Sequence, residues 1–326
     1  MEEKKLNIEQ PEDGMPYVQK VMPPAQVTPF GIRRKLIAHK TTEVWQKVPH
    51  AGYTMECDIT DFLRELDALN ASGRHPKKIK LNTALLRVLI EGVFAAPQVN
   101  AHLDYDHKLK LGKVKQFEQI DINMPWLSND GKLIVVKLPD FGRKSLDEMT
   151  DYIENLRERV DRTNVAKALI EISLRDTKDL LKQRKYKEYF NRARGAMKAK
   201  KAPRPPADKV SKKQFEELAF EERLNYKDLD YGTILFSNVG YSTIGVNGTV
   251  TLMDIGYPQV FACAIGGIQE KPWVFVNGQG EKEIGIRKVM PFCITFDHRA
   301  YDFGDIAPFI RRVNEVFVSP SMLHSW

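Results

Sequence analysis

Long apolar runs are missing from this 326-residue chain. No stretch approaches the ~18 to 20 residues that a membrane span needs, and the opening Met1-Glu2-Glu3-Lys4-Lys5 lacks the apolar stretch of a secretory leader. Both absences predict a soluble cytoplasmic protein with no membrane partner. Cysteine is scarce as well. Cys57, Cys263 and Cys293 are far apart, form no C-x-x-C and sit in apolar strand-like segments, so buried structural thiols are expected rather than a disulfide framework or a metal site. Without a leader, Asn247-Gly248-Thr249 reads as a turn rather than a glycosylation acceptor. No repeat of solenoid type is present.

What is there is globular in composition, 42% hydrophobic and 29% charged, with enough chain to bury a full core. The net charge of +7 is concentrated in one place. Between Lys182 and Lys213 there are 13 Lys and Arg against Glu188 and Asp208, a local +11 that leaves the rest of the chain at −4. The basic character belongs to that segment.

Residues 1–29 are polar and broken by Pro16, Pro23, Pro24 and Pro29, which predicts an extended N-terminal arm. From residue 30 to 48, Phe30, Ile32, Leu36, Ile37, Val44, Trp45 and Val48 recur at helical spacing. Tyr53, Met55, Cys57 and Ile59 then alternate with polar residues as a half-buried strand should, and a short helix is expected from Thr60. Asn82 is placed to cap a nearly all-apolar helix that Pro97 stops. Three strands are expected around residues 107–111, 117–124 and 132–138.

Ser145 and Glu148 have the spacing of a capping box, so a long charged helix is expected through the 150s and 160s. Its continuation is lysine-rich and runs into Ala202-Pro203-Arg204-Pro205-Pro206, an expected basic inserted arm at about 180–230. Strands are predicted again at 233–236, 250–253, 260–265, 273–276 and 284–296, with a hairpin turn at Asn277-Gly278-Gln279-Gly280. Ile306, Phe309, Ile310, Val313, Val316 and Phe317 mark a last amphipathic helix. The sum is an α+β fold, a mixed sheet with helices on one face.

Two short segments carry chemistry. Phe296-Asp297-His298-Arg299-Ala300-Tyr301-Asp302 places a histidine where it can act as a general base. Phe236-Ser237-Asn238-Val239-Gly240 ends a strand with a serine able to donate to a developing oxyanion. Each alone has a plain alternative: a core histidine held by a neighbouring acid, and a serine satisfying a strand terminus. Their joint occurrence favours chemistry.

Together the two segments resemble the catalytic domain of the 2-oxoacid dehydrogenase acyltransferases, the dihydrolipoyl acyltransferase core family, which shares its fold with chloramphenicol acetyltransferase. The likeness extends to residues 32–38, to Val48-Pro49-His50 with Cys57-Asp58-Ile59-Thr60, to Pro97-Gln98-Val99-Asn100, and to Gly256-Tyr257-Pro258-Gln259 with the strand after it.

The resemblance implies a two-layer catalytic domain over residues 30–326, interrupted by the basic arm. It implies an acyltransferase in which a thiol attacks an acyl thioester directly, with coenzyme A as substrate and no metal. His298 would take the thiol proton, Ser237 would stabilise the oxyanion, and Asp302 would order the site, while His50 is left structural. It also implies a homotrimer that joins Ser237 and His298 from adjacent subunits. Lipoyl and subunit-binding domains precede the catalytic domain in this family, and thirty proline-rich residues cannot form both, so a lipoyl carrier protein is expected in trans.

One departure stands inside the motif. The family continues with glycine after the aspartate, whereas Phe303 follows Asp302 here and Gly304 comes one residue late. A phenylalanine forbids the close approach a glycine permits, so the acceptor channel is expected to be reshaped. A non-catalytic scaffold subunit is the alternative that this departure favours. An antibiotic acetyltransferase fits less well, since those relatives have His-His where this chain has Asp297-His298. The basic arm has several readings: a solvated helical face, attraction for coenzyme A phosphates, a dock for an acidic carrier, or non-specific nucleic-acid binding, the last being the weakest.

Overall fold

The computed structural model describes residues 27, 30, 32–127, 133–182, 184–199, 210–251 and 253–326. The proposed N-terminal arm and the proline cluster at 202–206 lie outside the described residues, apart from Val27. In chain order the elements are α1 (Ile32–Lys47), β1 (His50–Asp58), α2 (Thr60–Ala71), α3 (Leu81–Ala95), β2 (Ala101–Asp106), β3 (Leu111–Gln116), β4 (Ile122–Leu127), β5 (Leu133–Leu138), α4 (Leu146–Asp161), α5 (Val165–Lys182), α6 (Tyr186–Ala199), α7 (Lys212–Glu217), β6 (Ile234–Asn238), β7 (Phe261–Ile265), β8 (Gln269–Val276), β9 (Lys282–Asp297) and α8 (Phe303–Val318).

Seven strands form a mixed sheet in the order β1-β9-β7-β6-β4-β5, with β8 also paired to β9. β6 runs parallel to both β4 and β7, and the other pairings are antiparallel. The 16-residue β9 organises the sheet: its first half pairs with β8, its second half with β1 on one side and β7 on the other. The turn between β8 and β9 falls at residues 277–280 as expected, closed by Gly280 N–H to Asn277 O at 3.0 Å, with Gly280 at φ +85°.

Strand alternation sends side chains to two faces. Phe261, Cys263, Ile234 and Phe236 join the main core, where Phe261 meets Phe309 of α8 with ring centroids 4.8 Å apart. α3 lies close behind, since a Cβ built on Gly92 would stand 2.6 Å from the Phe309 ring. The opposite face is also covered. Ala262 packs with Val44 of α1, with Val48 just beyond its end and with Ile255, and Leu235 lies against them. The expectation of helices on one face is therefore corrected: α1 closes the second.

Other expectations are corrected locally. Asn82 does not cap α3, which begins one residue earlier with Lys80 at its N-cap. The strands expected at 107–111 and 117–124 are a β2–β3 hairpin turning over 107–110, followed by β4 from Ile122. No strand forms among the described residues of 250–253; Val250 O instead accepts from Thr54 Oγ1 at 3.0 Å. The long helix through the 150s and 160s is two helices. Ser145 caps the first with the expected box, and Asn164 opens the second by accepting from Lys167 N–H at 2.9 Å. All three cysteines are buried and free, and burial pushes the Cys57 thiol up to about 12.

Candidate active site

β9 ends at Asp297 because its N–H, bonded to Val260 O at 2.9 Å, is the last to join the sheet, and the chain then turns back on the Asp297 carbonyl through Ala300 N–H at 2.9 Å. Asp297 is 1% exposed and would be costly to bury unpaired. Arg299 satisfies it from two residues away: Nε donates to Oδ1 at 3.0 Å and Nη2 to Oδ2 at 2.6 Å. The Arg299 guanidinium also lies 5.3 Å from the centre of the Tyr105 ring on β2. The acid and the base flanking His298 thus point inward together, and His298 is left half-exposed between them.

His298 is anchored by its backbone, whose N–H donates to Pro49 O at 3.0 Å. Its Nδ1 lies 3.3 Å from Asp302 Oδ1, at the N-cap of α8. Asp302 is itself held by α8, its N–H donating to Asp305 Oδ2 at 2.9 Å, and its negative charge suits the positive end of the helix dipole. Phe303 stands edge-on to Phe296 at 5.1 Å and to His298 at 6.5 Å.

A second layer braces this turn. Tyr301 Oη donates to Gln98 O at 2.5 Å, and Gln98 Nε2 donates to Asp305 O at 2.7 Å. Asn100 Nδ2 donates to Phe117 O at 2.8 Å and Gln119 O at 2.9 Å. The Pro97-to-Asn100 element is therefore a clamp joining the start of α8 to β3. Gln259, nearly fully buried, donates to Asn123 Oδ1 at 2.8 Å and ties the start of β7 to β4. Sequence reasoning missed Asp297, Arg299, Gln98 and Tyr301 as supports. An acid and an arginine two residues apart around a histidine was the available signal.

His50 sits beneath the turn on the α1 side. Its Nε2 accepts from Ile255 N–H at 3.4 Å, its ring lies 5.1 Å from that of Trp45, and burial holds it below its ordinary value despite the nearby Asp254 and Asp297 carboxylates.

Ser237 is elsewhere. It lies near the end of β6 opposite Ala264 of β7, and Ala264 lies opposite Cys293 of β9. His298 follows Cys293 by five residues, so at ~3.3 Å per residue and ~4.8 Å per strand the two are separated by roughly 17 Å along the sheet and 10 Å across it. Within one chain His298 and Asp302 meet, and Ser237 stands about 19 Å from them by the same spacing. Among the described residues nothing hydrogen-bonds the Ser237 hydroxyl. Nor does any group of three or more His, Cys, Asp or Glu among them approach metal-holding geometry. Among the described residues no helix is long and apolar enough to cross a membrane.

The sequence matches the profile of the 2-oxoacid dehydrogenases acyltransferase (catalytic domain) family over residues 23–169 and 209–325. The chain belongs to this family. The acetyltransferase component of the Zymomonas mobilis pyruvate dehydrogenase complex, a dihydrolipoyllysine-residue acetyltransferase, is 26% identical over 288 residues, covering 88% of this chain and 48% of its own. The chain spans about half the length of the curated relatives it matches over most of its own sequence.

Among solved structures, a probable dihydrolipoamide acetyltransferase from Listeria monocytogenes superposes with a TM-score of 0.62 at 16% identity, covering 91% of this chain and 96% of its own. The Azotobacter vinelandii dihydrolipoamide acetyltransferase, studied for one serine, one histidine and one asparagine in its catalytic mechanism, superposes with a TM-score of 0.59 at 16% identity over 94% of this chain and 97% of its own. These place the fold with the acyltransferase cores. The segment 170–208, most of α5 and all of α6, is left outside the family match.

Proposed function

We propose that this protein is a coenzyme A-dependent acyltransferase that moves an acyl group between coenzyme A and a thiol, with a dihydrolipoyl group supplied in trans as the acceptor. The observation that carries it is the His298 turn: an exposed imidazole held by a buried ion pair at its base and flanked by a carboxylate at Nδ1. A serine, a histidine and, four positions on, an asparagine are named in the mechanism of the Azotobacter vinelandii enzyme, and Ser237, His298 and Asp302 offer a comparable set with aspartate last.

Asp302 beside Nδ1 favours the tautomer with the proton on that atom, leaving Nε2 as the base. A thiol of pKa ~8.5 is mostly protonated at neutral pH, and only the thiolate attacks well. His298 takes the thiol proton as sulfur bonds to the thioester carbonyl carbon. The carbonyl π pair moves to oxygen, where the Ser237 hydroxyl donates a hydrogen bond that is strongest in the transition state. Collapse breaks the original carbon–sulfur bond, and the departing thiolate recovers the proton from His298.

Because Ser237 and His298 lie at opposite ends of the sheet, the site is completed by a neighbouring subunit, and a homotrimer is the smallest ring consistent with the family's assembly. The domain reading belongs to the same proposal: an N-terminal arm to residue 29, then one catalytic domain carrying a basic arm.

The test is thiol release from acetyl, propionyl and branched acyl coenzyme A with dihydrolipoamide as acceptor. Transfer that falls by about 10²–10⁴-fold in His298→Ala at equal subunit assembly supports the reading. Equal rates in both chains contradict it.

A further inference from the structure

α5 and α6 form a helical pair largely beyond the family match, and their outer surface combines unpaired cations with exposed apolar groups. Several surface cations elsewhere are paired: Lys77 with Asp151 at 2.7 Å, Lys167 with Glu216 at 2.6 Å, Arg312 with Glu91 at 2.6 Å. On the arm, Arg184, Lys185, Lys187 and Arg194 are exposed with no acidic partner among the described residues. Apolar groups are exposed beside them. Ile170, Leu174 and Leu181 follow one stripe of α5, and Tyr186 and Phe190 are exposed one turn apart on α6.

We infer that this arm is a docking surface for a folded, acidic carrier domain that bears the acceptor thiol; the inference rests on the acyltransferase reading above. Unpaired cations around an apolar stripe are what an acidic protein surface complements. A second copy of the chain is disfavoured by the repulsion between two such α6 surfaces. Nucleic acid has no use for an aliphatic stripe of Ile170, Leu174 and Leu181. Capture by a plane of anionic headgroups is a separate outcome of the test below.

The arm is also rooted at the right end of the molecule. Thr163 Oγ1 accepts from Leu224 N–H at 2.8 Å, Asn164 Nδ2 donates to Val210 O at 2.7 Å, and Arg159 pairs with buried Asp228 at 2.8 Å, fixing the returning chain to the end of α4 and to the junction before α5. The returning chain enters β6 at Gly232, whose carbonyl accepts from His102 Nε2 at 2.8 Å. His102 is on β2, the strand whose Tyr105 lies under Arg299. By register, residue 232 is level with His298, so the arm joins the sheet at the histidine end, two strands away. A carrier held there presents its thiol to the base.

The experiment measures binding and turnover separately. A fluorescent lipoyl domain of net negative charge is titrated with the full chain by anisotropy at low and high salt, beside a DNA duplex and phosphatidylserine vesicles as competing probes. The natural chain is compared with Arg184→Gln/Lys185→Gln/Lys187→Gln/Arg194→Gln and, separately, with Phe190→Ser. In parallel, kcat/KM is recorded for the lipoyl domain and for free dihydrolipoamide.

The proposal expects about a tenfold loss of domain affinity in the four-site variant with a flattened salt dependence, a smaller loss in Phe190→Ser, and rates on free dihydrolipoamide within about twofold of the natural chain. Unchanged domain affinity in both variants overturns it, as does tighter capture of DNA or vesicles than of the domain. Absence of turnover with free dihydrolipoamide in the natural chain counts against the acyltransferase reading instead, because the anisotropy result does not depend on turnover.

Discussion

Asp297 and Arg299 close on each other from either side of His298, at 3.0 and 2.6 Å, and Asp297 is almost wholly buried. The pair fixes the two neighbours of the catalytic candidate without touching its ring. Replacing Arg299 by Ala would leave a buried carboxylate uncompensated, a loss of about 3–5 kcal/mol in folding stability. Urea unfolding should show that loss, and kcat should fall by roughly 10²-fold from misplacement of the imidazole while KM moves little. In the double variant Asp297→Asn/Arg299→Met, stability should largely recover and kcat should not. Recovery of both would mean that the pair serves folding alone.

Phe303 follows Asp302 directly and stands edge-on to the His298 ring at 6.5 Å. An aromatic ring there narrows the approach to the imidazole, so Phe303→Gly should raise kcat/KM for bulkier thiols relative to small ones, by up to about tenfold. Relative rates across a thiol panel provide the measurement. An unaltered ranking would remove Phe303 from the acceptor channel.

Burial lowers the pKa of both His50 and His102. In the window between their folded values and the ordinary ~6.5, the unfolded chain binds more protons than the folded one, so stability rises with pH there and is lost as pH falls. Thermal or urea midpoints taken from about pH 7.5 down to 5.5 should decline, and His50→Gln/His102→Gln should flatten the decline. A midpoint that climbs on acidification would contradict the assignment of neutral buried imidazoles.

Much of the fold was legible because local signals agreed with the tertiary result. The strand through residues 53–58, the Ser145 box and the turn at 277–280 all act over a few residues, although Tyr53 is exposed where the alternation put it inward. The failures needed information that neighbouring residues do not carry. The stretch 250–253 has strand-like composition, yet its described residues form no ladder and Val250 O is met by the Thr54 side chain. β2 was missed because Ala101–Asp106 is half polar and gains its place from Tyr105 under Arg299 and His102 against Gly232.

α1 was grouped with the other helices on one face, since only the register of β6 and β7 shows that Ala262 and Leu235 point away from the main core. The site was legible as a set of residue types, not as a geometry. His298 and Asp302 are four residues apart and meet on one turn. The separation of Ser237 from them depends on two strand registers that no local pattern encodes.

That separation gives the central claim its most direct test. Ser237→Ala and His298→Ala should each be nearly inactive, and trimers formed by co-refolding the two variants in equal amounts should regain about one quarter of the natural activity, because one site in four then draws an intact serine from one subunit and an intact histidine from its neighbour. Recovery to that level is the result the account predicts. Mixed assemblies that stay as inactive as either variant alone would contradict a site shared between subunits.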